Sequence, residues 1–320
     1  MTAPAPPPDP GLSAQMAQYA AIIAAEQGVR AAALSSIEQF LDLARIGVLG
    51  SDPGAPPSLT GWPSLDQWIR ILTRILLPAI ESVWEKRWAQ GARGTVDDAQ
   101  ARAAYMTNVS SRLRDWPADA FEDIRGELLA AQDAGESIPQ MRQRIGYAFG
   151  IDALTRDAEQ RIAELRRRLE TATGPTADRL RADIRALVET RDASNRRWWW
   201  RADRIARTET IGAYNAAAYT GGATYASVTG EARWAQWLAT VTDTLTRASH
   251  YAAHLQVQAI GDPFSVGGGT LRFPGDPQGP AHEVINCRCV VLILTADEVP
   301  AQRRAYARHL AALEAAQAAA

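Results

Sequence analysis

Three of the chain's four histidines and both of its cysteines fall within forty residues, as His250, His254, His282, Cys287 and Cys289. His250 and His254 are four apart, which on a helix places them on one face. Cys287 and Cys289 are two apart, which on an extended segment turns both thiols the same way. Together the four side chains would make a tetrahedral two-histidine, two-cysteine zinc site, with His282 as a spare ligand. The other reading of the same residues is packing, with the cysteines as small buried hydrophobes and the histidines hydrogen-bonded locally. A metal here would be structural. Four protein ligands leave no position for water, and His250-Tyr251-Ala252-Ala253-His254 lacks the glutamate that serves as general base in zinc peptidases.

Other catalytic templates are missing. No Gly-x-Ser-x-Gly or Walker A run occurs, and Gly267-Gly268-Gly269 lacks the strand–helix context of a phosphate-binding loop. A second polar set is Arg207, Thr208, Glu209, Asn215, Asp243, Arg247 and Asn286. It is expected to be a buried hydrogen-bond and ion-pair network fixing helix against sheet. The third set is aromatic and basic: Trp198, Trp199 and Trp200, flanked by Arg196, Arg197 and Arg201. It suits a partner interface, packing between two regions, or stacking on single-stranded nucleic acid.

Most of the chain that must position these groups reads as helix. A Pro-rich arm over 1–10 precedes a helix over 12–48, and a Gly/Pro linker spans 50–63. Helices follow at 64–90, capped by Ser64, and at 97–114, 117–133 and 137–148, the last with Pro139 in its first turn. An antiparallel helix pair is expected at 152–172 and 176–192, then a helix from Trp198 to Tyr219 stopped by Gly221-Gly222. After Gly230 the pattern changes. Arg233–Val241 alternates as a strand, Arg247–Leu255 fits a short helix, Thr270–Phe273 a small strand within a loop, and Val290–Leu294 a β-branched strand. Glu298–Ala318 returns to helix. The expected fold is α+β and mostly α-helical. A helical partner-binding region (11–197) leads to a small α+β module (198–296) and a C-terminal helix (297–320).

Composition narrows the function classes. Hydrophobic residues at 47% and charged residues at 22% describe a folded chain and exclude wholesale disorder. The most apolar stretch, Ile69–Ile80, contains Arg70 and Arg74 and is too short to span a bilayer. The start, MTAPAPPPDPG, shows no secretory leader, and two cysteines make no disulfide scaffold. The net charge of −2 hides a local excess. Residues 161–207 carry 13 arginines against 7 acids, a footprint for DNA or a solvated helix with Arg/Glu pairs. Direct DNA contact there predicts an affinity that falls steeply with salt.

The string Ile205-Ala206-Arg207-Thr208-Glu209-Thr210, then Asn215, Trp237 and Asp243-Thr244-Leu245-Thr246-Arg247-Ala248-Ser249-His250, ends in Asn286-Cys287-Arg288-Cys289. In order and spacing it resembles the phage Mu F-like head morphogenesis domain, a minor capsid protein family encoded beside the portal protein. Leu245 and Leu255 depart from the arginine and glycine common in that family. The resemblance implies a non-enzymatic structural protein of the virion, bound at the portal vertex inside the procapsid and assisting head assembly and DNA packaging or ejection. The implied partners are the portal protein, the major capsid or scaffold protein, and a weak contact with DNA, with no membrane. Domains of the family have also been likened to ADP-ribosyltransferases and toxins using NAD. That alternative would need Glu283 opposite Arg247 or His250.

Overall fold

The computed structural model describes residues 10–91, 98–149, 161, 162, 164, 165, 167–169, 174–240 and 246–318. The helices that can be delimited among the described residues come first: α1 (Pro10–Leu49), α2 (Leu65–Ile71), α3 (Leu77–Gly91), α4 (Ala99–Leu113), α5 (Trp116–Asp133), α6 (Ile138–Ala148) and α7 (Gly174–Thr229). The remainder runs β1 (Trp234–Leu238), α8 (Ala248–Ala252), β2 (Val257–Ala259), β3 (Phe264–Val266), β4 (Gly269–Leu271), α9 (Ala281–Val284), β5 (Val290–Leu294) and α10 (Val299–Ala318). The fold is α+β and mostly helical, as expected. No helix among the described residues is long and apolar enough to cross a membrane.

The chain divides into two compact units, each built from separated segments. Ala31–Leu76 and Ser111–Asp203 form a helical unit, while the described residues up to Arg30, Leu77–Ser110 and the residues from Arg204 onward form a second unit that carries the sheets. In the helical unit, Ala33, Ile37, Phe40, Leu41, Ala44 and Val48 recur at helical spacing on α1 and are all buried. Phe40 meets Trp62, Trp68 and Trp116 edge-on at 5.6–5.8 Å between ring centres. The two deepest indoles are also satisfied as donors: Trp68 Nε1 donates to Leu113 O at 2.8 Å and Trp198 Nε1 to Ala148 O at 2.9 Å. Helix starts follow their caps. Gln67 Oε1 accepts from the Ser64 N–H, and Gln140 Oε1 from the Ser137 N–H. Arg142 donates to the carbonyls of Leu49 and Ala55, supplying a cation and donors at the C-terminal end of α1.

In the second unit, β1 is the middle strand of an antiparallel sheet ordered β2-β1-β5, with Trp237 opposite Val291. β3 and β4 form a separate hairpin. The alternation expected of β1 does not separate a wet face from a dry one, since Ala235 through Leu238 are all buried. Gln236 keeps its polar end by donating to Gln302 Oε1 at 3.1 Å. α7 is the other half of this core, with every residue from Thr208 to Tyr219 buried.

Several expectations need correction. The helix expected over 64–90 is interrupted by a π-helical turn at Leu72–Leu76. The helices expected at 176–192 and 198–219 are one helix, α7, of 56 residues. It passes Gly221-Gly222 and ends before Gly230. The glycine pair is there for packing rather than as a stop: a Cβ on Gly222 would lie 2.7 Å from Ile260 Cδ1 and 3.0 Å from Ile293 Cγ2, so its absence lets the helix close onto the sheet. The helix expected at 152–172 lies largely outside the described residues, as does nearly all of the Pro-rich arm. Strand β2 lies where the pattern gives no element and β3 within the expected loop, because three-residue strands carry too little alternation to register.

Candidate metal centre and the network that holds it

α8 is short, and its length decides the site. It ends at Ala252, and the chain turns through Leu255 at φ +66° before entering β2. His250 and His254 therefore do not share a helix face. His254 turns its Nδ1 toward the backbone N–H of Ala239 at 3.2 Å and takes no part in the cluster. His250 does: its Nδ1 lies 3.3 Å from Cys289 Sγ and 3.7 Å from Cys287 Sγ. These three donor atoms all lie within 4.8 Å of one another, and all three residues are buried. His282 stands at the surface beside Glu283.

The separations suit zinc. With Zn–S of about 2.3 Å and Zn–N of about 2.0 Å, a tetrahedral site has N···S edges of roughly 3.6 Å. The observed pair brackets that length. On the far side of the ring, His250 Nε2 sits 2.9 Å from Glu283 Oε2, without the alignment of a hydrogen bond. Ser249 Oγ donates to the same carboxylate oxygen at 3.0 Å.

The two thiols titrate as a pair. The hydrogen bond with Cys289, reinforced by His250, holds the Cys287 thiol down at about 5 against its burial. Burial, with Cys287 beside it, pushes Cys289 well above the usual thiol range.

Glu283 is positioned by a distant turn. Gly267 and Gly268, the two residues between β3 and β4, both have positive φ, the type I′ geometry that glycine adopts without strain. Gly267 also abuts Glu283, so any Cβ there would collide with Oε1. The triple glycine serves a hairpin and a carboxylate, not a phosphate.

The expected polar network is assembled on α7. Asn215 is wholly buried and saturated: Nδ2 donates to Pro274 O at 2.9 Å and Cys289 O at 3.0 Å, and Oδ1 accepts from Val291 N at 3.0 Å. Thr208 Oγ1 accepts from the Asn286 N–H at 3.0 Å, while Arg207 reaches Asn286 Oδ1 at 3.5 Å. Asn286 takes φ +58°, a conformation asparagine tolerates well. Arg247 donates to Ile285 O. Glu209 is buried, and Asp243 lies outside the described residues. Two participants were not foreseen. Tyr19, on α1, hydrogen-bonds Thr240 and donates to Arg288 O, and Glu26 lies 3.5 Å from Arg207 Nε. Neither carries a sequence signal, since both are ordinary helix residues far from their partners in sequence, Tyr19 by 221 and 269 positions.

The tryptophan cluster is split. Successive residues on a helix point about 100° apart, so three in a row cannot share one face. Trp198 is fully buried and packs 6.0 Å from Trp116, whereas Trp200 is 56% exposed. Arg201 pairs with Asp123 at 2.6 Å. The side chains of Arg196 and Arg197 lie outside the described residues.

Residues 123–292, 170 of the 320, match a family model described as phage Mu protein F like protein. The match begins well upstream of the recognisable motifs and takes in most of α5 and all of α6. No curated protein and no solved structure showed a significant match to the chain.

Proposed function

The chain belongs to the phage Mu protein F like family, and from that premise we propose that it is a minor head protein. In this reading it binds the portal at its vertex inside the procapsid and assists head assembly and DNA packaging or ejection. The family match over more than half the chain carries the reading. It is supported by the state of the polar residues. Asn215, Thr208 and Arg247 are each directed at backbone and Glu283 accepts from the Ser249 hydroxyl, as in a scaffold built to hold a shape. An NAD-using transferase would need Glu283 presented to a ligand, and that side chain is buried against Ser249 and His250.

The test is co-expression with the portal protein encoded beside it, followed by mass spectrometry of assembled heads. The expected result is co-purification with the portal and a substoichiometric presence in heads. Absence from both would sink the proposal. Major capsid or scaffold protein and packaged DNA are further partners that the same particles would reveal on cross-linking.

The proposal includes one structural zinc, held by His250, Cys287 and Cys289. Protein purified without chelator is expected to contain about one equivalent of zinc, and a Cys287→Ser/Cys289→Ser variant to contain none. Metal-free wild-type protein would leave the cluster as packing alone.

A further inference from the structure

The two thiols of this cluster have a chemistry besides holding a metal. Both are free and buried, and their sulfurs lie within 4.8 Å of one another. Arg288 alone separates them in the chain. Cys289 forms part of the wall of a cavity of about 270 Å³. That is several times the roughly 30 Å³ of one water, so a reagent the size of peroxide fits beside the sulfur. The backbone between the thiols has attachments of its own. The Arg288 carbonyl accepts from Tyr19 on α1 and from Thr240 after β1, each at 3.1 Å, and the Cys289 carbonyl accepts from Asn215 on α7.

We propose that Cys287 and Cys289 are a reversible oxidation site, which a peroxide-class oxidant closes to a disulfide, and that closure loosens the hold of Arg288 on α1. The same sulfurs serve the zinc reading above, but the inference does not rest on it. First, Cys289 Sγ attacks one peroxide oxygen. The O–O bond breaks, the sulfur becomes a sulfenic acid, and the other oxygen leaves as water with the thiol proton. Cys287 Sγ then displaces the hydroxyl, forming the S–S bond and a second water. One peroxide is reduced by two electrons, and the two thiols together supply them. With zinc on the thiolates, the ion is released and two solvent protons complete the waters. A second thiol within 4.8 Å lets the sulfenic acid condense before another peroxide arrives. The closure also moves the backbone. An extended segment spans roughly 6.6–7.2 Å over two residues, beyond the usual 5.5–6 Å or so between disulfide-linked Cα atoms. The Arg288 peptide must tilt to close that gap, and its carbonyl is what Tyr19 holds. Disulfides formed under such constraint are the readily reduced ones, which makes the site reversible.

The full-length chain treated with hydrogen peroxide, quenched with catalase and denatured in N-ethylmaleimide tests this. Untreated chain is expected to take two maleimides. Treated chain should take none, gain no oxygen in its mass, form no covalent dimer, and recover both sites with dithiothreitol. With two cysteines in the chain, that combination identifies a Cys287–Cys289 bond. Amide hydrogen exchange around Tyr19 should then quicken about fivefold, the worth of one hydrogen bond, and slow again on reduction. Sites that dithiothreitol does not restore, a disulfide-linked dimer, or two thiols that survive peroxide would each overturn the proposal. A Cys287–Cys289 bond with unchanged exchange around Tyr19 would overturn the coupling to α1. A metallochromic dye in the same samples reads zinc separately: disulfide formed with no zinc released would overturn the metal reading and support this one.

Discussion

Replacing Asn215 with alanine should cost about 4 kcal/mol or more and leave the sheet-bearing unit barely folded under native conditions. The side chain makes three hydrogen bonds to three backbone groups with no exposure to solvent. Alanine would strand the carbonyls of Pro274 and Cys289 and the N–H of Val291 together, at about 1–3 kcal/mol each, before any cavity term. Domains of this size have roughly 5–15 kcal/mol in total. Asn215→Asp is nearly isosteric and is still expected to fail. It keeps an acceptor for Val291 but turns a buried anion toward two carbonyl oxygens, and loss of the amide donors outweighs the retained bond. Urea unfolding followed by tryptophan fluorescence gives the answer. A loss under about 1 kcal/mol for the alanine variant would show that water replaces the amide and that the clamp is dispensable.

The second large effect is expected at Gly47, near the end of α1. There the helix crosses the backbone turn Leu59–Gly61 so closely that a Cβ on Gly47 would overlap Gly61 O, and a Cβ on Gly61 would overlap Gly47 O. Both obstacles are main chain, so no side-chain rotation relieves them. Gly47→Ala should cost about 3 kcal/mol or more by forcing helix and turn apart. Gly28, on the same helix, provides the opposite sign: its Cβ would meet nothing within 4 Å. Gly28→Ala should therefore stabilise by about 0.5–1 kcal/mol through helix propensity and a less flexible unfolded chain. Equal small effects at the two positions would mean that the crossing opens at little cost.

Where local physics sets the structure, it was legible. Ser64, and Ser137 with Pro139 in the first turn, announced helix starts, and Val290–Leu294 announced a strand. Cys287 and Cys289, two apart, do face the same partner, and the Asn-Cys-Arg-Cys ending identified the family. Legibility failed where a long-range contact determined a residue's role. Gly221-Gly222 looks like a helix stop, yet Ile260 and Ile293 give it its purpose. His254 looks like a ligand at helical spacing, yet α8 ends too soon to place it. Glu283 gains its position from Gly267, and Tyr19 its role from Thr240 and Arg288. None of those pairings leaves a periodicity to read.

The strand order β2-β1-β5 has a consequence for biosynthesis. β5 is the last strand to leave the ribosome and pairs along the whole length of β1, which is made some fifty residues earlier. Until Val290–Leu294 emerges, β1 has an open edge, the kind of surface on which nascent chains cross-associate. The Cys289 carbonyl and Val291 N–H that Asn215 requires arrive with the same segment. A chain whose synthesis stops short of residue 290 thus lacks the closing strand and the clamp together. Such a product should be cleared or aggregate, so that only completed copies accumulate as folded protein.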